Sequence, residues 1–205
     1  MTAIFALALA YLIGSIPTGY LATRSVAGAD IREHGSGGTG ATNVQRVLGW
    51  RWGLAIALSD VAKGAVVVVL SRWLGVSEWF VAGAATLAVA GHCWPVWLRF
   101  RGGKGVATGG GAAIALSPWG LLLLPIIALP VVLTRYVSLG SVVASASAPV
   151  IFAVLSLLGV APAEYVMFGL LASAIILAKH RTNIGRLLAG SERRIGGPRR
   201  GAPAA

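Results

Sequence analysis

Charged side chains are scarce in this sequence. Asp, Glu, Lys and Arg make up 11% of its 205 residues, against about 25% in an ordinary soluble domain. Hydrophobic residues reach 57%, with a mean hydropathy of +0.81. A chain of this size cannot hide so much apolar surface from water, which excludes a water-soluble globule, and the same apolarity excludes intrinsic disorder. Acids are scarcer still, with six Asp and Glu against seventeen Lys and Arg. Cysteine occurs once, at Cys93, so no intrachain disulfide can form, and a lone Cys at a helix end reads as a small apolar filler. There are three histidines, no HExxH, scattered carboxylates and no GxSxG elbow. That excludes a recognisable metal centre, paired-carboxylate chemistry and a serine nucleophile of the hydrolase type. No internal repeat stands out. An integral membrane protein remains.

Apolar runs lie at 3–22, 53–74, 79–98, 105–117, 119–134, 139–159 and 163–179. A spanning helix takes about 20 residues, with a range of about 17–25. The fourth and fifth runs are short and divided by Ser117-Pro118, so they form two helices or one kinked helix. Charge decides between these, because cytoplasmic loops carry the excess of Lys and Arg. With seven spans, Arg24, Arg32, Arg46, Arg51, Arg99, Arg101, Lys104, Arg135 and the seven bases from Lys179 to Arg200 share one side. That is 15 of the 17 bases. Merging the two short runs leaves 7 inside and 9 outside, and the bias vanishes. The expected fold is therefore all-α with seven transmembrane helices, the N-terminus outside and the C-terminus cytoplasmic. Trp50, Trp52, Trp73, Trp79, Trp94 and Trp97 sit near span ends, where indoles favour the headgroup level. The first run lacks a basic leader region and reads as a retained span rather than a cleaved signal. Residues 1–187 form the membrane domain, and 188–205 read as a basic, disordered cytoplasmic tail. The net charge of +11 lies between apolar segments, which points to anionic lipid and anionic substrates rather than nucleic acid.

The polar chemistry is concentrated in a few loops. The first, from His34 to Arg46, reads HGSGGTGATNVQR. Its glycines allow close backbone approach to a ligand, and successive N–H groups in such a loop form an anion-binding nest. Ser36, Thr39 and Thr42 add hydroxyls, Asn43 an amide and Arg46 a planar fork suited to phosphate. Gly35-x-Gly37-x-x-Gly40 matches a dinucleotide fingerprint, but a membrane helix precedes it instead of a strand, so the match is accidental. The second loop, Phe100 to Gly111, reads FRGGKGVATGGG. It is no Walker A motif, since Gly105 follows Lys104, yet Gly102, Gly103 and Gly105 expose backbone around Lys104 at a helix start, where anions bind. His92 lies close by, as a structural or a functional histidine. On the same side, Ser138 and Ser141 share a helical face, as do His180 and Asn183. Asp60 and Lys63, also three apart, lie inside the second span and read as an ion pair.

GSGGTGATN at 35–43, GGKGVAT at 102–108 with Gly91-His92 upstream, RYVSLGS at 135–141 and HxxN at 180–183 together resemble one family. It is the bacterial acyl-phosphate:glycerol-3-phosphate acyltransferases, the PlsY family. The resemblance covers the chain up to its tail. One departure is Gly38, where the family's first motif usually has Asn. The resemblance implies transfer of a fatty acyl group from acyl phosphate to the 1-hydroxyl of sn-glycerol 3-phosphate. Lysophosphatidic acid and inorganic phosphate result, in the first acylation of phospholipid biosynthesis. It implies a multi-pass protein of the bacterial inner membrane with a cytoplasmic-face site, no cofactor, no metal and no obligate protein partner. Ser36, Arg46, Lys104, His180 and Asn183 are the expected catalytic residues. Gly35, Gly37, Gly40, Thr42, Asn43, His92, Gly102, Gly103, Gly105, Ser138 and Ser141 are expected to bind substrate phosphate. A transporter of an organophosphate or other anion is the rival reading. It sits less well with polar residues gathered at one interface, because transporter sites lie near the midplane.

Overall fold

The structure, a computed structural model, describes residues 1–196; the last part of the expected tail, 197–205, lies outside the described residues. Ten α-helices and no strand occur among the described residues. They are α1 (Thr2–Ser15), α2 (Thr18–Ala27), α3 (Ala41–Leu48), α4 (Trp50–Trp73), α5 (Glu78–Cys93), α6 (Val106–Leu116), α7 (Leu123–Thr134), α8 (Val137–Leu157), α9 (Glu164–Lys179) and α10 (Arg181–Leu188).

Thr2–Ala27, Trp50–Trp73, Glu78–Leu98 and Val137–Leu157 are long and apolar enough to cross a membrane, while Val106–Leu116 and Pro118–Thr134 are shorter apolar helices. Leu58, Val69, Val132 and Leu157 are exposed along these helices, as lipid-facing residues would be. The chain is an all-α integral membrane protein. The first apolar run is not one helix. It divides into α1 and α2 at Pro17, whose ring removes a backbone donor. The third run ends early, at Cys93, before Pro95 and a short 3-10 turn over Val96–Leu98. Two interfacial helices, α3 and α10, were not anticipated as separate elements.

Small residues decide how the helices approach. A Cβ at Gly64 of α4 would overlap the Thr108 carbonyl of α6, and one at Gly111 of α6 would overlap the Val61 carbonyl of α4. Gly14 and Gly91 do the same between α1 and α5, against Ala88 and Tyr11. Close backbone approach is the usual route to helix association in lipid, where apolar burial gives no net drive. At the far end of the bundle Phe152 packs edge-on against Tyr165 and Phe168, with ring centroids 6.1 and 6.0 Å apart. Arg72 there donates to the Ala115 and Leu116 carbonyls and so satisfies the end of α6.

Candidate anion and acyl-chain site

α6, α8 and α9 stand around a cavity of about 570 Å³. Its mouth is polar. Its inner wall is made of Val61, Gly110, Ala113, Ala144, Ala148 and Phe168. The first turns of four helices open on this mouth: Ala41 and Thr42 of α3, Val106 and Ala107 of α6, Val137 and Ser138 of α8, Thr182 and Asn183 of α10. None of the four has a side-chain N-cap. Their free N–H groups and positive dipole ends favour an anion.

All five expected catalytic residues, Ser36, Arg46, Lys104, His180 and Asn183, line the cavity. Lys104 Nζ donates to Asn183 Oδ1 at 2.6 Å. Burial pushes the Lys104 ammonium down to about 8; Glu192 opposes this, and Arg186, Arg46 and Lys179 reinforce it. His180 is buried with Nδ1 2.8 Å from the Ile176 carbonyl. A carbonyl only accepts, so Nδ1 carries the hydrogen and Nε2 is the free acceptor. Burial lowers His180 to about 4 against the pull of that carbonyl, with Lys104 adding to the fall. His180 is therefore neutral near pH 7 and meets a ligand as an acceptor rather than as a cation. Arg46 has no salt-bridge partner among the described residues.

Of the residues expected to bind phosphate, Gly35, Gly40, Thr42, Asn43, His92, Gly103, Gly105, Ser138 and Ser141 also line the cavity, and Gly37 and Gly102 do not. Gly37 supplies a turn at φ 72°, its N–H given to His34. Gly102 lets the chain pass the His92 carbonyl and Pro95, which a Cβ would overlap. Part of the loop backbone is engaged internally. The N–H of Ser36 goes to Asn43 Oδ1, and that of Gly103 to the His92 carbonyl. The N–H groups of Gly38, Gly40, Lys104 and Gly105, all on the cavity wall, have no acceptor among the described residues and stand beside those of the helix starts. Asn43 itself is a clip more than a ligand, since Nδ2 donates to the carbonyls of Ile31, His34 and Gly38 while Oδ1 holds Ser36. A Cβ at Gly35 would overlap that Oδ1, which is why glycine stands there.

Beneath the second loop lies the intramembrane pair. Lys63 meets Asp60 at 2.7 Å and donates to the Ile16 carbonyl, which at the Pro17 break also accepts from the Thr18 N–H. Asp60 also accepts from Thr18, and His92 Nδ1 lies 3.6 Å away. Both ions are nearly fully buried, and each has further polar partners besides the other, which offsets part of the cost of burying the pair.

Several polar cavity residues were missed by sequence reasoning, Glu192, Arg186, Thr182 and Arg193 among them. Glu192, taken as part of a solvated tail, accepts from Ser138 at 2.9 Å, Asn183 at 2.7 Å and Arg186 at 2.6 Å. Burial raises its carboxyl, but these donors outweigh burial and hold it below the usual range. Arg186 lies three residues after Asn183, on the same helical face. That spacing was readable, whereas Glu192 stands in a Gly-, Pro- and Arg-rich stretch that reads as solvated.

Fold and site define a membrane-embedded, anion-binding protein whose polar mouth leads into an apolar groove. The model of the glycerol-3-phosphate acyltransferase family matches residues 4–190. A glycerol-3-phosphate acyltransferase of Desulforudis audaxviator (strain MP104C) is 48% identical over 197 residues, 95% of this chain and 96% of its own. One from Rubrobacter xylanophilus is 44% identical over 190 residues, 92% of this chain and 93% of its own. Among solved structures, the glycerol 3-phosphate form of PlsY, an integral membrane glycerol 3-phosphate acyltransferase, superposes with a TM-score of 0.86 at 36% identity, covering 95% of this chain and 96% of that one. The chain belongs to the glycerol-3-phosphate acyltransferase family.

Proposed function

We propose that this glycerol-3-phosphate acyltransferase takes its acyl group from acyl phosphate and delivers it to the 1-hydroxyl of sn-glycerol 3-phosphate. The supporting observation is four uncapped helix starts, together with Arg46, Lys104 and Arg186, around one cavity mouth that leads into an apolar groove. Both substrates carry phosphate, and one also carries a hydrocarbon chain. The related PlsY structures in glycerol 3-phosphate and lysophosphatidic acid forms fit this reading.

In the reaction, the acceptor hydroxyl oxygen attacks the acyl carbonyl carbon, and the bond from that carbon to the phosphate oxygen breaks. The hydroxyl proton leaves on a substrate phosphate, giving lysophosphatidic acid and inorganic phosphate. Acyl phosphate is an activated anhydride, so orientation, worth roughly 7–11 kcal/mol in favourable cases, carries most of the task. Lys104, Arg46 and Ser36 place the phosphates, and helix-start N–H groups face the developing oxyanion. His180 is the rival base. Its value of about 4 makes it a weak one at neutral pH, which favours the phosphate. Purified protein given palmitoyl phosphate is expected to release phosphate only with glycerol 3-phosphate present, one lysophosphatidic acid formed per phosphate. Release independent of the acceptor would refute the scheme.

We further place the chain in the bacterial inner membrane with seven crossings, the N-terminus outside and the site at the cytoplasmic face, as the basic-residue asymmetry supports. Cys93 is buried, so single cysteines can be introduced without removing it. Thr2→Cys is expected to react with a membrane-impermeant maleimide in intact spheroplasts, and Ser191→Cys only after permeabilisation. The reverse pattern would invert the topology.

A further inference from the structure

Three consecutive glycines on α6 have three different surroundings. Gly111 lies against the Val61 carbonyl, where a Cβ would overlap. A Cβ at Gly109 would lie 3.2 Å from Ile176 Cδ1 and 3.6 Å from Val89 Cγ2. Gly110 has nothing within 4 Å of its Cβ position, yet it lines the cavity. Packing explains two of these glycines and leaves the third without a reason. Glycine inside a helix is destabilising relative to alanine, so the position calls for one.

The cavity supplies it. Beyond Gly110 its wall runs along Ala113 and Ala148 to Phe168, which is 2% exposed and backed edge-on by Phe152. Phe168 and His180 are separated by most of α9, twelve residues, or about 18 Å of helix; Ser138 and Ala148 on α8 give about 15 Å. A fully extended chain advances about 1.2 Å per bond, so the groove holds a chain of roughly 13–16 carbons. Gly110 lies about 7.5 Å along α6 from Gly105, beside the middle of such a chain.

We propose that Gly110 and Phe168 gauge the acyl chain. Gly110 keeps the groove open at mid-depth, and Phe168 is its end stop. This inference rests on acyl phosphate being the donor. It is tested by giving the purified protein glycerol 3-phosphate and an equimolar mixture of even-numbered acyl phosphates from about eight to about twenty carbons, and weighing the lysophosphatidic acids by mass spectrometry. Wild-type product is expected to peak at about 14–16 carbons. Gly110→Leu, which fills open space, is expected to raise the ratio of the shortest to the sixteen-carbon product at least about tenfold. Phe168→Ala is expected to move the peak up by about two to four carbons. If Phe168→Ala does not fold, the milder truncation Phe168→Leu, expected to move the peak up by no more than about two carbons, and Gly110→Leu decide the matter. Active variants with an unchanged profile would overturn the gauge and mean that the chain leaves sideways into lipid. Wild-type protein that accepts none of these donors would refute the donor assignment itself.

Discussion

The two glycine-rich loops look alike in composition and are held in different ways. The loop at 35–43 is fastened by one side chain, since Asn43 binds Ser36, Ile31, His34 and Gly38 at once. The loop at 102–105 is fastened by close packing, its glycines passing His92 and Pro95 at separations no Cβ tolerates. Behind His92 stands the Asp60–Lys63 pair, so that loop is anchored on the membrane interior. The first loop therefore depends on one amide and the second on the packing of a whole helix bundle. The chemistry divides the same way: the first presents a hydroxyl and a guanidinium, the second a half-buried ammonium.

The largest effect is expected at Lys104 of the second loop. Lys104→Ala removes a half-buried cation from the cavity wall and leaves Asn183 Oδ1 without its donor. A fall in kcat/KM of about 10²–10³ is expected, the range for losing one preorganised charge-stabilising donor. Initial rates at saturating acyl phosphate check it; a loss under fivefold would move the phosphate elsewhere. Asn43→Ala comes next. It strands buried carbonyls at about 1–3 kcal/mol each, so the first loop rearranges and carries Ser36 with it. About 10²-fold lower kcat/KM is expected, with faster proteolysis confined to residues 30–43. If the second loop is anchored independently, the two losses add in the double variant. Marked non-additivity would show that one device holds both loops.

A milder prediction concerns protonation. Lys104 titrates at about 8, below the usual lysine range because it is buried. If the proposed phosphate contact needs the charged form, kcat/KM falls as pH rises through about 8, by roughly tenfold at pH 9. Bound phosphate favours the ammonium, so the limb in kcat lies at higher pH than the limb in kcat/KM. Lys104→Arg stays charged throughout and is expected to lose the alkaline limb whatever its absolute rate. An unchanged limb in that variant would assign it to another group.

Much of the site is legible in the amino-acid sequence. Phosphate chemistry needs Arg, Lys, hydroxyls and flexible backbone, and such residues stand out in a chain with little charge. The break between the fourth and fifth apolar runs is legible too, because Ser117-Pro118 interrupts a run that is otherwise all apolar. Three things are not. Pro17 lies within one spanning-length run, where membrane helices tolerate proline, so only the contact of Lys63 with the Ile16 carbonyl reveals that the helix parts there. The use of Asn43 as a clip depends on where three carbonyls happen to point. Glu192 is hidden by its surroundings, since a Gly-, Pro- and Arg-rich stretch reads as solvated whatever single acid it carries.

The smallest expected effect separates two glycines of the first loop. Gly37 adopts φ 72°, and a Cβ there would lie 3.3 Å from the Arg32 carbonyl. Gly40 has an extended backbone at the start of α3 and nothing within 4 Å of its Cβ position, although it lines the cavity. Gly37→Ala is expected to cost about 1–2 kcal/mol through the left-handed backbone alone, lowering the thermal midpoint while leaving KM for glycerol 3-phosphate near its starting value. Gly40→Ala is expected to leave the midpoint unchanged and to raise that KM a few fold, since the added methyl crowds the free N–H groups of Ala41 and Thr42. Two substitutions three residues apart thus separate folding from binding within one motif. If both moved only the thermal midpoint, the start of α3 would not meet substrate, and the anion would rest on the second loop, α8 and α10.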